Sequence, residues 1–264
     1  SIKVADISDW YPAVKDDSVG FFTLKDGKVD LTNPLYIEGI KYSRSIYENG
    51  YSFNSLTDEQ KANFGVDGDW EAFNAGKVAM AVDPTSNAAG YSELASEIAF
   101  TSLPNGKCIL IPDYAFISAT TEHPQEAYDF LKFMTFSKEG IMERLNITEA
   151  DTECKWGSLP LNTDSEIVER FFKNYPMEGV EEVYENMEGN AIVEPFKFTP
   201  GYANAHWNAL TGISAGGEEN ANVAKVIESC INGELNIDDY AEQLNTLANA
   251  QIKEVQDIID TVVE

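Results

Sequence analysis

Histidine is nearly absent: 264 residues contain only His123 and His206. A Ser-His-Asp set must draw on one of these two, and no catalytic cysteine signature accompanies them. His123 stands before Pro124, which suits helix capping rather than catalysis. The three cysteines, Cys108, Cys154 and Cys230, are odd in number and widely spaced, so they fit neither a disulfide framework nor a metal knuckle. Phosphate cradles are missing as well, and Gly216-Gly217 runs into Glu218-Glu219, which would repel a phosphate. Asp67, Asp69 and Glu71 alternate as in a calcium loop, but the positions that need Gly and Glu hold Ala72 and Val78. Neither a metal nor an organic cofactor is expected.

Positive charge is scarce too, with 18 Lys and Arg against 45 Asp and Glu and a net charge of −27. No basic cluster exists to release counterions from a phosphate backbone, so nucleic acid is excluded as a partner and anionic membrane surfaces are disfavoured. Beyond a Debye length of roughly 8 Å in physiological salt this excess is screened, so it bears on solubility and steering. A neutral or cationic ligand fits it best. No apolar run reaches the roughly 18 residues a bilayer span requires. Ser1 does not open a signal peptide, and any targeting segment is expected to have been removed.

What is present is ordinary globular material: 43% hydrophobic and 11% aromatic residues. At roughly 150 residues per domain the length suggests about two compact units. Phe21 to Leu31 place two short apolar runs around Asp26-Gly27, the signature of a β-hairpin with a type I′ turn. A helix is expected from Pro34 to Glu48, stopped by Asn49-Gly50. Shorter helices are expected over Asp58 to Phe64, capped by Ser55 with Asp58, and over Trp70 to Asn74. Val78 to Val82, Ile98 to Pro104, Cys108 to Ile111 and Tyr114 to Ser118 read as buried strands. Pro124 opens a helix with Ala127, Phe130, Leu131 and Met134 on one face. Thr163 with Glu166 has capping-box spacing ahead of Ile167 to Phe172. The last third is helical, closing on a helix from Asp238 to Val262 with Tyr240, Leu244, Leu247, Gln251, Val255 and Ile258 as its apolar stripe. Strands alternating with helices early and helices alone late give an α/β class.

Several segments together resemble the extracellular solute-binding proteins of ABC importers, in the sugar-binding family of the maltose-binding type. The stretch from Gly20 to Gly50 follows that family's order of strand, Lys-Asp-Gly turn, Asn33-Pro34 and helix. Phe73 to Asp83 is similar to its short helix, glycine and strand. Leu103-Pro104, Phe116-Ile117-Ser118, His123 to Ala127 and Phe130 to Phe133 resemble its inter-lobe crossing and following helix. Gly157-Ser158-Leu159-Pro160 looks like its Gly-x-Leu-Pro turn, and Gly233-Glu234-Leu235 with the helix through Asn249 like its end.

The resemblance implies a periplasmic-binding-protein-like (type II) fold. Nothing before Gly20 is long enough for the family's βαβ-rich first lobe, so the chain is expected to be its later part. Residues 1–106 and 162–264 would form the second lobe, and 107–161 a partial first-lobe excursion with the hinge crossings. Apolar surface on Ile109 to Ile117 and on the Phe130, Leu131 and Met134 face would then be open to self-association. The implied function is capture of a sugar between lobes for delivery to ABC permease subunits, with no bond broken, outside the cell or in the periplasm and with a lipoprotein anchor in the full-length protein. The implied ligand residues fall in three places: Asp9, Trp10 and Tyr11; Asp83, Thr85 and Ser86 at a strand end; and Tyr202, His206 and Trp207, where the family carries a stacking tryptophan. Asp113 and Tyr114 complete the set. Core packing is the competing reading for the aromatic members. A cationic solute such as a polyamine or peptide, neutralised by Asp9, Asp83 and Asp113, is the alternative ligand, and a glycoside hydrolase the less favoured class.

Overall fold

The computed structural model describes residues 4–66, 68–87, 98–151, 153–154, 156–175, 177–195 and 197–263. Asp67 of the acidic alternation lies outside them. Among the described residues the helices are α1 Val4–Lys15, α2 Pro34–Glu48, α3 Asp58–Ala62, α4 Asp69–Asn74 and α5 Pro124–Thr135. They continue with α6 Lys138–Ala150, α7 Ser165–Asn174, α8 Val180–Glu185, α9 Val223–Ile231 and α10 Ile237–Val263. Two short strands, β1 Cys108–Leu110 and β2 Ala191–Val193, pair in parallel with Cys108 opposite Ala191. The architecture is α/β but mostly helical.

Contacts divide the chain into two compact units, residues 1–82, 103–112 and 190–264, and residues 83–102 and 113–189. In the first, α2 starts where expected because Pro34 occupies a position whose N–H needs no partner and the Asn33 side chain accepts from Leu35 N–H at 2.9 Å. Its face of Tyr36, Gly39, Ile40 and Ser43 is buried, and α1 packs against it. Gly39 permits this approach, since a Cβ there would come within 3.1 Å of Tyr11 Cβ. Pro12 inside α1 breaks its periodic pattern, which is why the sequence carries no clear signal for that helix.

The core of this unit joins α2, α9 and α10 with the segment of Phe22, Val29 and Leu31. Val29 and Leu31 lie outside any strand, and α10 supplies hydrogen bonds to their backbone. Asn249 accepts from Val29 N–H at 3.0 Å and donates back to Val29 C=O at 2.8 Å. Asn245 accepts from Leu31 N–H at 3.0 Å. Two side-chain amides thus do for this backbone what a neighbouring strand would do.

Several expectations are corrected. The hairpin over Phe21 to Leu31 reduces to one bridge between Lys25 and Lys28. Its turn is as read, with Asp26 and Gly27 at φ 50° and 72°, but Phe21–Thr23 coil into a helical turn in place of a strand. Val78 to Val82 and Tyr114 to Ser118 form no strand, and Ile98 to Pro104 only a bridge from Ala99 to Glu178. A strand needs a ladder partner, and these runs lie open, with Met80 and Phe116 more than two-thirds exposed. The buried line of α10 is Ile237, Ala241, Leu244, Ala248 and Ile252. Of the expected stripe only Leu244 is on it, because the small alanines let neighbouring elements approach closely. The caps also shift: Thr57 with Gln60 forms the box at α3, and Asp164 caps α7.

In the second unit, α5 buries no residue, and Phe130 and Met134 on it are exposed, as are Ile111, Tyr114 and Phe116 elsewhere in the chain. Its order comes from α6 and α7, which bury Ile141, Leu145, Ile167, Phe171 and Phe172, and from Arg170, which pairs with Glu149 at 2.7 Å.

Replacing Asn249 by Ala is expected to destabilise the protein by about 1–3 kcal/mol for each Val29 group left unpaired. Urea unfolding measures it. Asn249→Asp, which keeps the acceptor and loses the donor, should fall between the wild type and Asn249→Ala.

Candidate functional site

The segment from Pro200 onward builds an aromatic cluster in the first unit. Gly201, at φ 82°, passes so close to α10 that a Cβ would sit 2.7 Å from Ile252 Cα, so this turn is open to glycine alone. Residues Asn204–Asn208 then widen into a π-type turn, closed by Ala209 N–H on Asn204 C=O at 2.7 Å. Such wide turns re-aim side chains, and they recur at functional sites. Asn222 fixes the far end. It caps α9 through Lys225 N–H and donates to Trp207 C=O at 2.7 Å.

Tyr202, just ahead of this turn, and His206 within it are buried, whereas Trp207 leaves 43% of its surface open. His206 and Tyr202 lie ring to ring, 6.1 Å apart and nearly parallel. Trp207 meets the His206 ring edge-on at 4.6 Å. Phe22 closes the bed from the other side, 4.6 Å from His206 and 5.5 Å from Tyr202. It does so from a left-handed backbone, φ 50° and ψ 31°, a geometry that costs a non-glycine residue free energy and persists because the surrounding packing fixes it.

Burial first, then the carboxylates of Asp9 on α1 and Glu194 just after β2, push the Tyr202 hydroxyl far above its ordinary pKa. Asp9 likewise adds to the burial that raises Tyr36. Burial lowers His206 from 6.5 to about 4, so its imidazole is neutral at physiological pH. Its Nδ1 is buried with no hydrogen-bond partner among the described residues.

The other expected residues are placed as follows. Trp10 is buried on α1 with Ile7, Ala13, Val14 and Ile192, so it packs in the core. Tyr11 turns toward α2, donating to Glu38 at 2.6 Å. Burial and that carboxylate raise its hydroxyl to about 12. Asp83, Thr85, Ser86, Asp113 and Tyr114 belong to the second unit. Asp83, Thr85 and Ser86 do not follow a strand, since Val78 to Val82 is not one. Instead Asp83 accepts from the Asn87 amide at 3.1 Å, and Thr85 C=O accepts from the Tyr175 hydroxyl at 2.9 Å. Asp113 and Tyr114 are exposed, and Tyr114 lies 6.2 Å from Phe116. The structure therefore brings Tyr202, His206 and Trp207 together, and the Asp9 carboxylate adds to the burial that raises the Tyr202 hydroxyl. Sequence reasoning missed Phe22, Glu194 and Asn222. Phe22 follows Gly20-Phe21 in an apparent strand, and Glu194 is one acid among 45 Asp and Glu, so nothing local singled out either.

Two open grooves lie elsewhere. One in the second unit, of about 740 Å³, runs over Phe172 and Tyr184 between α7 and α8. One in the first unit, of about 300 Å³, is lined by Phe53, Phe64 and Val78 among others. Neither includes an expected ligand residue. No group of metal-ligating side chains occurs among the described residues.

The neutral, buried His206 makes stability depend on pH with a definite sign. Its folded pKa of about 4 lies below the ordinary 6.5, so as pH falls through that window the unfolded chain binds a proton the folded chain refuses. Stability is therefore retained above the window and lost within it, by up to about 3 kcal/mol. Urea unfolding at stepped pH should show this loss, and His206→Phe should flatten it.

A family model described as bacterial extracellular solute-binding protein matches residues 2–141. No curated protein and no solved structure matches the chain. Proteins of this family are not enzymes; they bind a small solute outside the cell or in the periplasm and present it to the permease of an ABC importer. No helix among the described residues is long and apolar enough to cross a membrane. With more than half of its length matched, the chain belongs to the bacterial extracellular solute-binding protein family.

Proposed function

We propose that the solute is a carbohydrate and that Trp207 is the surface on which its ring lies. The single observation carrying this reading is the 43% exposure of an indole on an otherwise buried aromatic bed. Sugars present apolar C–H faces that suit an aromatic plane, and rigid support lowers the entropy lost on binding. The π-type turn, the Asn222 bond to Trp207 C=O and the contacts with His206 and Tyr202 supply that support. Tyr202 and His206 act beneath the ligand, as the bed that orients the indole. In the importer the loaded protein hands its sugar to the permease subunits, anchored to the membrane by a lipid on the full-length chain.

Trp207→Ala separates this role from core packing. Loss of the ring should remove stacking worth about 0.5–1.5 kcal/mol beyond area burial. Folding stability should change by no more than about 1 kcal/mol, whereas truncating a core tryptophan costs about 3–5 kcal/mol. Calorimetric titration with a panel of linear oligosaccharides, paired with thermal unfolding of the same variant, reads both. A large loss of stability with unchanged sugar affinity overturns the assignment.

A further inference from the structure

In the second unit an arginine lies on a tryptophan with no acid to hold it. Three arginines occur in the chain, Arg44, Arg144 and Arg170. Arg44 pairs with Glu48 at 2.6 Å and Arg170 with Glu149 at 2.7 Å. Arg144, on α6, makes neither an ion pair nor a hydrogen bond among the described residues; its guanidinium sits 4.6 Å from the centre of the Trp156 ring instead. Its own helix offers no carboxylate one turn away, where Gly140, Ile141, Ile147 and Thr148 stand. Glu143 and Asp151 are engaged elsewhere, the first accepting from the Asn146 amide at 3.2 Å and the second from Glu153 N–H at 3.0 Å. Burial alone lowers the Arg144 pKa, with no acid offsetting the loss of water, and the group stays charged. Trp156 is itself held edge-on against Phe171 at 5.0 Å, and its Nε1 is buried without a hydrogen-bond partner among the described residues, so the indole serves here by its face. The next residue, Gly157, lies against the exposed Ser86: a Cβ there would come within 2.8 Å of Ser86 C=O. Both contacts fix the indole, and with it the guanidinium.

We infer that Arg144 is a binding site for a carboxylate carried by a small solute, gripped by the fork of its N–H groups while Trp156 holds the guanidinium in place. Arginine–carboxylate pairs of this kind are charge-assisted and bidentate, and an arginine already immobilised on an aromatic ring loses less freedom in forming one. The net charge of −27 opposes an anion at long range, but it is screened beyond roughly 8 Å in physiological salt, and the contact pair decides. The carboxylate site stands on the second unit alone. That its bearer is a sugar acid, such as a uronate, rests on the reading of the solute as a carbohydrate.

Calorimetric titration compares trigalacturonate with its methyl ester, which keeps the sugar rings and loses the charge. The acid should bind about tenfold tighter, as close charge pairs at an interface do. Arg144→Gln should abolish that preference, and Arg144→Lys, which keeps the charge without the fork, should retain part of it. Arg144 is exposed, so both variants should fold, which thermal unfolding checks. Tricarballylate, an acid without a sugar ring, identifies the bearer: Arg144-dependent binding as tight as that of trigalacturonate keeps the carboxylate site and overturns the sugar acid. Equal or tighter binding of the ester, or an acid preference that survives Arg144→Gln, overturns the carboxylate site; where that ester binding is lost in Trp207→Ala, the sugar platform still stands. An Arg144-dependent preference with sugar binding indifferent to Trp207→Ala keeps the carboxylate site and overturns the platform. Absence of binding by all three probes overturns the inference.

Discussion

The exchange of hydrogen bonds between the Asn249 amide and the Val29 backbone holds the first unit together. Val29 and Leu31 are buried and lie outside any strand, and a buried backbone amide left unpaired costs about 1–3 kcal/mol. Helix α10 meets that need from the far end of the chain, 220 residues away. Closing so long a loop is costly only logarithmically in its length, so a few well-aimed amides suffice. Everything in the site follows from this registration. It fixes α10, so that Gly201 can pass over Ile252, and it fixes the segment after Gly20, so that Phe22 is held in a left-handed backbone with its ring against His206.

Burial governs the electrostatics of the site more than the large net charge does. Many of the ion pairs are exposed, such as Lys41 with Asp238 and Lys138 with Asp164 and Glu166, and pairs of that kind add little. At the ring cluster the situation is different, because the same removal of water that keeps His206 neutral is the main cause of the raised Tyr202 hydroxyl, with Asp9 and Glu194 adding to it. A surface with a net of −27 keeps the chain soluble and steers cations in general.

The helices were legible wherever local chemistry was sufficient. Asn33-Pro34 with Asn49-Gly50 bounds α2 at the residues expected, and Pro124 opens α5, because caps and prolines act within a turn of their own position. Strands were not legible in the same way. Val78 to Val82 and Tyr114 to Ser118 have the composition of buried strands yet form no strand, while β2, with a similar composition, pairs with β1 across more than eighty positions. Composition states that a segment can join a ladder; whether a neighbour arrives is a property of the whole chain.

For this protein the sequence by itself determined the acidic charge balance and the bounds of several major helices, and it singled out Tyr202, His206 and Trp207 as one aromatic segment. It could not determine which of those three aromatic residues faces outward, since Tyr202, His206 and Trp207 are near neighbours with similar apolar character. The fold decided that: Tyr202 ahead of the π-type turn and His206 within it are buried, and Trp207 in the same turn is partly exposed. The tertiary structure alone also brought Phe22 and Glu194, distant in sequence and ordinary in composition, to the same cluster, because proximity across a fold is set by packing and not by spacing along the chain.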